Sequence, residues 1–229
     1  MSNVKLKLMY KIVFKRILDF ILALLALIVL LPIFIPVTIG LLITGEHYVF
    51  YFQERIGYKN KRFYIWKFAT MLKNSPNMSG GVHTTRKDPR ILPMGTFLRK
   101  TKINELPQLI NILKGDMSII GPRPLVDKTF DPYPEHVKKS IYNAKPGLSG
   151  IGSIIFRDEE KLLSETKMNP ADFYKEFVSP YKGELEMWYQ KNLSFKIDIL
   201  LIFLTVWVIV FSKSELPYRL FKDLPKRTF

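Results

Sequence analysis

The chain has 229 residues, with 35 Lys and Arg against 20 Asp and Glu, which gives a formal net charge of +15. Hydrophobic residues make up 48% and charged residues 24%, and this balance excludes a mainly disordered protein. There is no cysteine, so disulfides, thiolate metal sites and a catalytic cysteine are excluded as well. The basic excess predicts a phosphate-bearing partner: nucleic acid, an anionic membrane and a phosphorylated substrate all fit it.

A long apolar segment lies near the N-terminus. Residues 17–43 contain one charged residue, Asp19, and exceed the roughly 20 residues that a helix needs to cross a bilayer. Pro32 and Pro36 interrupt this segment. Basic residues flank it on both sides: Lys5, Lys7, Lys11, Lys15 and Arg16 before it, and Arg55, Lys59, Lys61, Arg62 and Lys67 after it. Because Lys and Arg mark the cytoplasmic side, we predict a re-entrant helix, broken near Pro32, with a straight single-pass anchor as the alternative.

Strand and helix patterns follow in the central region. HYVFYFQERIG and RFYIWKF read as two strands joined by a turn at residues 57–60. NELPQLINILK, residues 104–114, reads as an amphipathic helix with its apolar face at Leu106, Leu109, Ile110 and Leu113. In this prediction Asn104 caps the start of the helix and Gly115 ends it.

A second apolar run covers residues 197–211 and is too short to span a bilayer comfortably. Its aromatic residues Phe203, Trp207 and Phe211 recur every four positions, as in a helix that lies in the headgroup region. A buried core helix fits the same pattern. The tail RLFKDLPKRTF is basic and aromatic, and therefore suits contact with anionic lipid.

Residues 98–124 combine several features that favour phosphate binding. Arg99, Lys100 and Lys102 precede the predicted helix start, where unpaired N–H groups attract anions. Arg123 lies in a GPRP turn and offers a planar fork of donors for phosphate oxygens. Glu105, in the first predicted turn, suits a divalent metal or phosphoryl chemistry. The alternative is a capped surface helix with solvated charges.

The segment NELPQLINILKGDMSIIGPRP resembles the signature of the bacterial sugar transferases, the monotopic polyprenyl-phosphate phosphoglycosyl transferases. The resemblance extends from about Tyr10 to Ser212. Further matching motifs, in the family's order, are FKRILDFILALLALIVLLPIF, FQERIG, WKFATM, KPGLSGIG and NLSFKIDI.

The resemblance implies a small α/β (α+β) monotopic membrane protein with a compact catalytic domain on the cytoplasmic face of the bacterial inner membrane. Such enzymes transfer a phosphosugar from a UDP-sugar to undecaprenyl phosphate, release UMP and require Mg²⁺. The expected domains are a membrane-associated re-entrant helix in residues 1–45, a catalytic domain in residues 46–195, and an interfacial helix with a basic tail in residues 196–229. The expected partners are both substrates and membrane lipids, and the sequence leaves a homodimer open.

The resemblance also implies the site residues. The family's helix-starting Asp-Glu pair, in which Asp is the nucleophile and Glu a metal ligand, corresponds to Asn104 and Glu105. The expected phosphate- and substrate-binding residues are Arg99, Arg123, Lys67, Arg55 and Arg157.

Asn104 departs from the family pattern, because a neutral amide cannot act as the carboxylate nucleophile and leaving group of a two-step reaction. Three explanations fit. Glu105 replaces the nucleophile, or the polyprenyl phosphate attacks the donor directly while Asn104 positions phosphate oxygens, or the chain is a disabled enzyme that serves as a UDP-sugar- or lipid-binding membrane scaffold.

Two further departures concern Ala69, where a basic residue is frequent, and the segment SIIFRDEEKLLSE. Its acidic residues Asp158, Glu159 and Glu160 suit metal or sugar hydroxyls, or else form a solvated helix start. A nucleic-acid binder is not expected, because the aromatic residues concentrate in the apolar runs and no recognition motif is present. The three histidines show no metal-ligand spacing.

Overall fold

The computed structural model describes residues 10–78, 88–211 and 214–229, and is a helix-rich α+β structure with two small sheets. Lys5, Lys7, His83 and Ser212 lie outside the described residues. The helices are α1 (Lys15–Ile43), α2 (Gly95–Lys100), α3 (Gln108–Lys114), α4 (Asp127–Phe130), α5 (Glu135–Lys138), α6 (Ile151–Ile155), α7 (Glu159–Glu165), α8 (Pro170–Phe173), α9 (Ser179–Asn192), α10 (Phe195–Val210) and α11 (Leu216–Leu220). The strands are β1 (Phe50–Ile56), β2 (Arg62–Phe68), β3 (Ser118–Ile120) and β4 (Gly147–Ser149). Short 3-10 turns cover Tyr58–Asn60, Ser75–Asn77, Ile103–Glu105 and Ile141–Asn143, and π-turns cover Tyr10–Phe14 and Tyr174–Val178.

The hairpin of β1 and β2 confirms both predicted strands. The strands are antiparallel, with Gln53 opposite Ile65, and the predicted turn between them contains Lys59 and Asn60 at positive φ. Fully buried Asn111 of α3 fastens β2, because its Oδ1 accepts from the Trp66 N–H at 2.9 Å. The second sheet pairs β3 and β4 in parallel.

The long helix α1 is the one described helix that is long and apolar enough to cross a membrane. It continues through Pro32 and Pro36 with no interruption of the helical backbone, so the bend expected near Pro32 stays a prediction. Each proline removes a single backbone donor, and the turns on either side keep their own hydrogen bonds. The re-entrant path itself stays a prediction.

Both halves of α1 pack against the rest of the protein. Ala23 belongs to an apolar cluster with four buried residues of the central region: Ile65, Leu109, Ile112 and Met117. Val37 and Leu41 form a second cluster with Phe68 and Leu98. The helix therefore contributes to two parts of the protein core, and most of its remaining side chains form an exposed apolar surface.

The helix α10, which contains most of the second apolar run, has features of both predicted alternatives, a buried core helix and an interfacial helix. Leu201, Leu204 and Val208 are buried in the largest apolar cluster, whereas Val206 and Ile209 are 61% and 57% exposed. One face thus belongs to the core and the other presents apolar side chains outward, as an interfacial helix does.

A buried polar network joins the N-terminal segment to α10. Asp198 accepts from Lys15 Nζ at 2.5 Å, from the Tyr10 hydroxyl at 2.6 Å and from the Tyr189 hydroxyl at 2.7 Å. Asp19 accepts from Ser118 Oγ of β3 at 3.0 Å. All six side chains are buried, and the charges of Lys15 and Asp198 compensate each other within the protein.

The predicted helix at residues 104–114 begins later than expected. A 3-10 turn covers Ile103–Glu105, and α3 starts only at Gln108, so Asn104 does not cap it. Pro107 ends the first segment because its ring favours the start of a new helix. Gly115, with a φ of 92°, ends α3 as predicted.

Candidate functional site

A single cavity of about 1000 Å³ contains most of the predicted site residues in its wall. Arg99 of α2, Glu105 of the 3-10 turn, Arg123 of the turn after β3, and Arg157 after α6 all line it. These side chains come from four separate segments, so the fold brings together residues that are up to 58 positions apart. The cationic excess of this wall is suited to phosphate groups.

Glu105 is the centre of an ion-pair cluster. Its Oε1 lies 3.2 Å from Arg123 Nη2 and 3.9 Å from Lys67 Nζ. The 3-10 turn that presents Glu105 follows Lys102, whose φ of 61° reverses the chain direction after α2. The hairpin strand β2 supplies Lys67, and the GPRP turn supplies Arg123. The predicted grouping of these three residues is therefore present.

The protonation states follow from burial and charge. Burial acts to raise the pKa of Glu105, but the charges of Arg123, Lys67 and Lys102 outweigh it and lower this pKa to about 2. Burial also lowers the pKa of Lys67 to about 7, against the opposing effect of Glu105. At neutral pH the cluster thus holds an ionised carboxylate and a lysine close to its titration point.

Arg55 supports the cluster without lining the cavity. Its Nη1 donates to the Pro124 carbonyl at 3.2 Å, and its Nη2 donates to Gln53 Oε1. Burial and the neighbouring Arg123 lower the pKa of Arg55 to about 10, so the guanidinium stays charged at neutral pH. Arg55 therefore fixes the GPRP turn and adds positive charge behind it.

Asn104 lies beside Glu105 in sequence but is only 6% exposed. It is not among the described residues that line the cavity, and its Oδ1 has no hydrogen-bond partner within the described chain. An unpaired buried amide oxygen costs free energy, on the order of 1–3 kcal/mol, unless a ligand or a water pairs with it. This oxygen is therefore available to a donor group next to the Glu105 cluster.

Sequence analysis missed the part of the wall formed by α9. Lys182 and Glu186 line the cavity, and Lys182 Nζ lies 2.7 Å from Glu159 Oε2. Both α9 side chains are buried, at 7% and 3% exposure. The sequence does contain a pattern that indicates these two residues. Lys182 and Glu186 are opposite charges four positions apart, beside Leu185 and Tyr189 on an otherwise apolar helix face. Asp158 also lines the cavity, and the side chain of Glu160 lies outside the described part.

The opposite part of the wall is apolar and belongs to α10. Ile202, Val206 and Ile209 line the cavity there, together with Leu148 of β4. Thr205 Oγ1 and Ser149 Oγ, 2.7 Å apart, tie this wall to β4. The cavity thus extends from the cationic cluster to side chains on the exposed apolar face of α10.

A magnesium site fits only as a site shared with a substrate. Within residues 10–78, 88–211 and 214–229, no group of three or more His, Asp or Glu side chains is placed to hold a metal. Both ion pairs of Glu105 use Oε1, so neither engages Oε2. One carboxylate plus substrate phosphates is a common Mg²⁺ environment, and Glu105 fits that role.

Comparisons with known proteins agree with this geometry. Residues 10–212 match the family model described as Bacterial sugar transferase. The chain is 32% identical over 174 residues to the undecaprenyl-phosphate galactose phosphotransferase of Salmonella typhimurium, covering 70% of this chain and 33% of that protein. It is 34% identical over 162 residues to the UDP-glucose:undecaprenyl-phosphate glucose-1-phosphate transferase of Escherichia coli. The matched residues cover 69% of this chain and 32% of that protein.

A relative of more similar length is the exopolysaccharide production protein ExoY of Sinorhizobium fredii. It is 30% identical over 181 residues, which cover 73% of this chain and 72% of that protein. The chain spans about a third of the length of several other curated relatives that it matches. Because the family model covers residues 10–212, which include α1, the ion-pair cluster, α9 and α10, this chain belongs to the bacterial sugar transferase family.

Proposed function

We propose that this protein is a phosphoglycosyl transferase that moves a sugar 1-phosphate from a UDP-sugar to undecaprenyl phosphate. The products are undecaprenyl diphosphate-sugar and UMP. The new bond joins an acceptor phosphate oxygen to the β-phosphorus of the donor, and the bond from that phosphorus to the bridging oxygen breaks. The names of the relatives, which include undecaprenyl-phosphate transferases for galactose and glucose, support this reaction.

The observation that carries the proposal is the composition of one cavity. Its cationic wall suits a diphosphate, and its α10 wall is continuous with an exposed apolar surface that suits a lipid chain. A water-soluble, charged donor and a membrane-bound acceptor have to meet at such a boundary. These two kinds of surface are the ones that the two substrates require.

Each site residue has a role in this proposal. Arg123 and Lys67 bind the donor diphosphate and stabilise the negative charge on the transferred phosphoryl group, while Arg99 and Arg157 hold outer phosphate oxygens. Glu105 keeps the two cations in place through its Oε1 contacts. Glu105 would also hold Mg²⁺, which would neutralise part of the phosphate charge when bound.

We favour direct attack by the acceptor phosphate over a covalent enzyme intermediate. Asn104 has no carboxylate, and Glu105, with a pKa of about 2, is a weakly basic carboxylate that is already paired with two cations. In this mechanism the buried Oδ1 of Asn104 accepts a hydrogen bond from a group at the reacting centre, and Asn104 acts as a positioning residue.

The position of α1 supports attachment to one side of the membrane. Both halves of the helix pack on the same globular region, through Ala23 in one cluster and Leu41 in another. A helix that crossed the bilayer end to end would draw these packed elements into the hydrocarbon, where charged neighbours such as Lys114 are costly. We propose that this side is the cytoplasmic face of the bacterial inner membrane.

The test is UMP release by the full chain in detergent or vesicles, with undecaprenyl phosphate, Mg²⁺ and a panel of UDP-sugars. We expect UMP with at least one donor, only when the acceptor is present. In a second experiment, labelled UMP is added to the protein and the UDP-sugar without the acceptor, and transfer of the label into the UDP-sugar is measured. Direct attack predicts no label in the UDP-sugar, because exchange requires a covalent phosphosugar intermediate.

Two outcomes would contradict parts of this proposal. Label exchange without acceptor would overturn direct attack and point to Glu105 as a nucleophile. Absence of UMP with every donor, followed by UMP release from the Asn104→Asp variant, would overturn the proposed activity of the natural chain.

Lys67 provides a pH-dependent prediction. Its pKa of about 7 means that it is mostly neutral at pH 8 in the free protein, and an adjacent diphosphate raises that pKa. Donor binding at pH 8 should therefore take up close to one proton, and affinity should fall as the pH rises above about 7. A UDP-sugar is the appropriate ligand because its own phosphates do not titrate in this range.

Calorimetric titration in two buffers of different ionisation enthalpy measures this proton uptake. The Lys67→Met variant should show none, and Lys59→Met, which changes an exposed lysine, should match the wild type. Equal heats in both buffers for the wild type would contradict the prediction.

A further inference from the structure

Glu186 on α9 is a buried carboxyl group in the cavity wall with one oxygen left unpaired. Only 3% of the residue is exposed. The backbone of Gly152 and that of Arg123 lie beside the carboxylate and act to lower its pKa, while Oε2 has no hydrogen-bond partner within the described chain. A side chain at Gly152 would not fit, because its Cβ would lie 2.4 Å from Glu186 Oε1. One oxygen thus lies against the backbone, and the other is available for a ligand.

The surroundings of Glu186 combine polar and aromatic groups. Lys182, one turn earlier on α9, pairs with Glu159, and its Nζ lies 5.0 Å from the centre of the Phe156 ring. Phe156 and Tyr133 also line this part of the cavity. Hydroxyls, carboxyls and aromatic faces in one pocket are suited to a polyhydroxylated ring, which has both polar edges and apolar C–H faces.

Charge decides which part of the donor fits this pocket. Lys182, the cation beside Glu186, is paired with Glu159, so this pocket adds no net positive charge; the diphosphate belongs with the cationic wall, and a neutral group belongs beside Glu186. Arg123 links the two regions, because its side chain pairs with Glu105 while its backbone lies beside the Glu186 carboxyl group. The neutral group closest to the transferred phosphoryl group is the sugar, since ribose and a second phosphate separate the uracil from it.

Resting on the proposed function, we infer that the pocket formed by α9 binds the sugar ring of the donor, and that Glu186 Oε2 forms a hydrogen bond with a polar substituent of that ring. Glu186 is therefore a donor-recognition residue rather than a phosphate ligand. Burial raises the pKa of Glu186 to about 8, against the opposing charge of Lys182, so at neutral pH the group is mainly protonated and can donate this hydrogen bond. A glutamine at position 186 has the same shape and offers an N–H donor, so it should preserve this hydrogen bond.

The test compares binding of the UDP-sugar that gives UMP with binding of UDP, at pH 7, for the full-length protein. We expect Glu186→Leu to weaken binding of the UDP-sugar about tenfold, the loss of one hydrogen bond, and to leave UDP affinity within twofold. Glu186→Gln should bind the UDP-sugar within about threefold of the wild type. The matched control is Glu184→Gln, an exposed carboxylate on the same helix, which should change neither affinity.

The outcomes separate this inference from the proposed function. Equal weakening of UDP and UDP-sugar by Glu186→Leu would overturn sugar recognition, because the residue would then act on the nucleotide or on the fold. Unchanged UDP-sugar affinity in both variants would overturn it too, and normal UMP release by the wild type would leave the proposed function intact. A wild type that binds neither ligand would overturn the proposed function itself.

Discussion

Replacing Glu105 with glutamine is expected to reduce UMP release by a factor of about 10² to 10³, the range seen when one preorganised electrostatic group is removed. The carboxylate holds Arg123 and Lys67 at 3.2 and 3.9 Å from a single oxygen. Without this negative charge, the pKa of Lys67 falls further, so Lys67 loses most of its positive charge, and Arg123 loses the partner that aims it at the transferred phosphoryl group. The loss should lie in kcat, measured as initial UMP release at saturating donor and acceptor.

The matched control for this prediction is Glu135→Gln. Glu135 also forms an ion pair with a lysine, Lys138, but it is an exposed pair on α5 and lies outside the cavity wall. Its substitution should leave UMP release unchanged within experimental scatter. A Glu105→Gln variant that retains more than a third of wild-type kcat would contradict the role assigned to the ion-pair cluster.

Replacing Asp198 with alanine is expected to lower the free energy of unfolding by about 3–5 kcal/mol, the usual cost of leaving a buried charge without its partner. Asp198 accepts from Lys15, Tyr10 and Tyr189, and both members of the ion pair are almost fully buried. Removing the carboxylate leaves the Lys15 ammonium uncompensated at the contact between α1 and α10. Denaturant unfolding in detergent, followed by tryptophan fluorescence, measures the loss.

A double variant separates the charge effect from simple loss of packing. Lys15→Met combined with Asp198→Leu replaces the ion pair by apolar side chains, and it should recover more than half of the stability lost in Asp198→Ala. If the double variant is as unstable as the single one, the uncompensated charge is not the cause. Lys196→Met, which changes a neighbouring exposed lysine, should leave the stability unchanged.

The hairpin and the ion-pair cluster show what local sequence patterns can predict. Two runs rich in aromatic and β-branched residues on either side of a turn predict β1 and β2 without further information, because strand and turn preferences are local. Arg99, Glu105 and Arg123 line one cavity, as expected from a single short segment that carries all three. The family resemblance named the same segment, and the family model confirms that membership.

Other features depend on contacts that no local pattern contains. The start of α3 shifts to Gln108 because Pro107 has no N–H with which to continue the preceding turn, and the amphipathic pattern does not reveal this. The contacts of α1 with Ile65 and Phe68 of β2 join segments that are far apart in the sequence. Glu186 escaped notice because its burial, and its neighbours Gly152 and Arg123, come from chain folding over 30 to 60 residues.

The packing of α1 also limits how this protein can be handled. Deleting the helix would uncover apolar side chains at Ile65, Leu109 and Phe68, all of which are buried in the intact protein. A shortened chain would present these patches to water and would associate with other copies or with detergent. Water-soluble versions of the catalytic region therefore require new polar residues at these positions, since a cut after residue 45 removes part of its core.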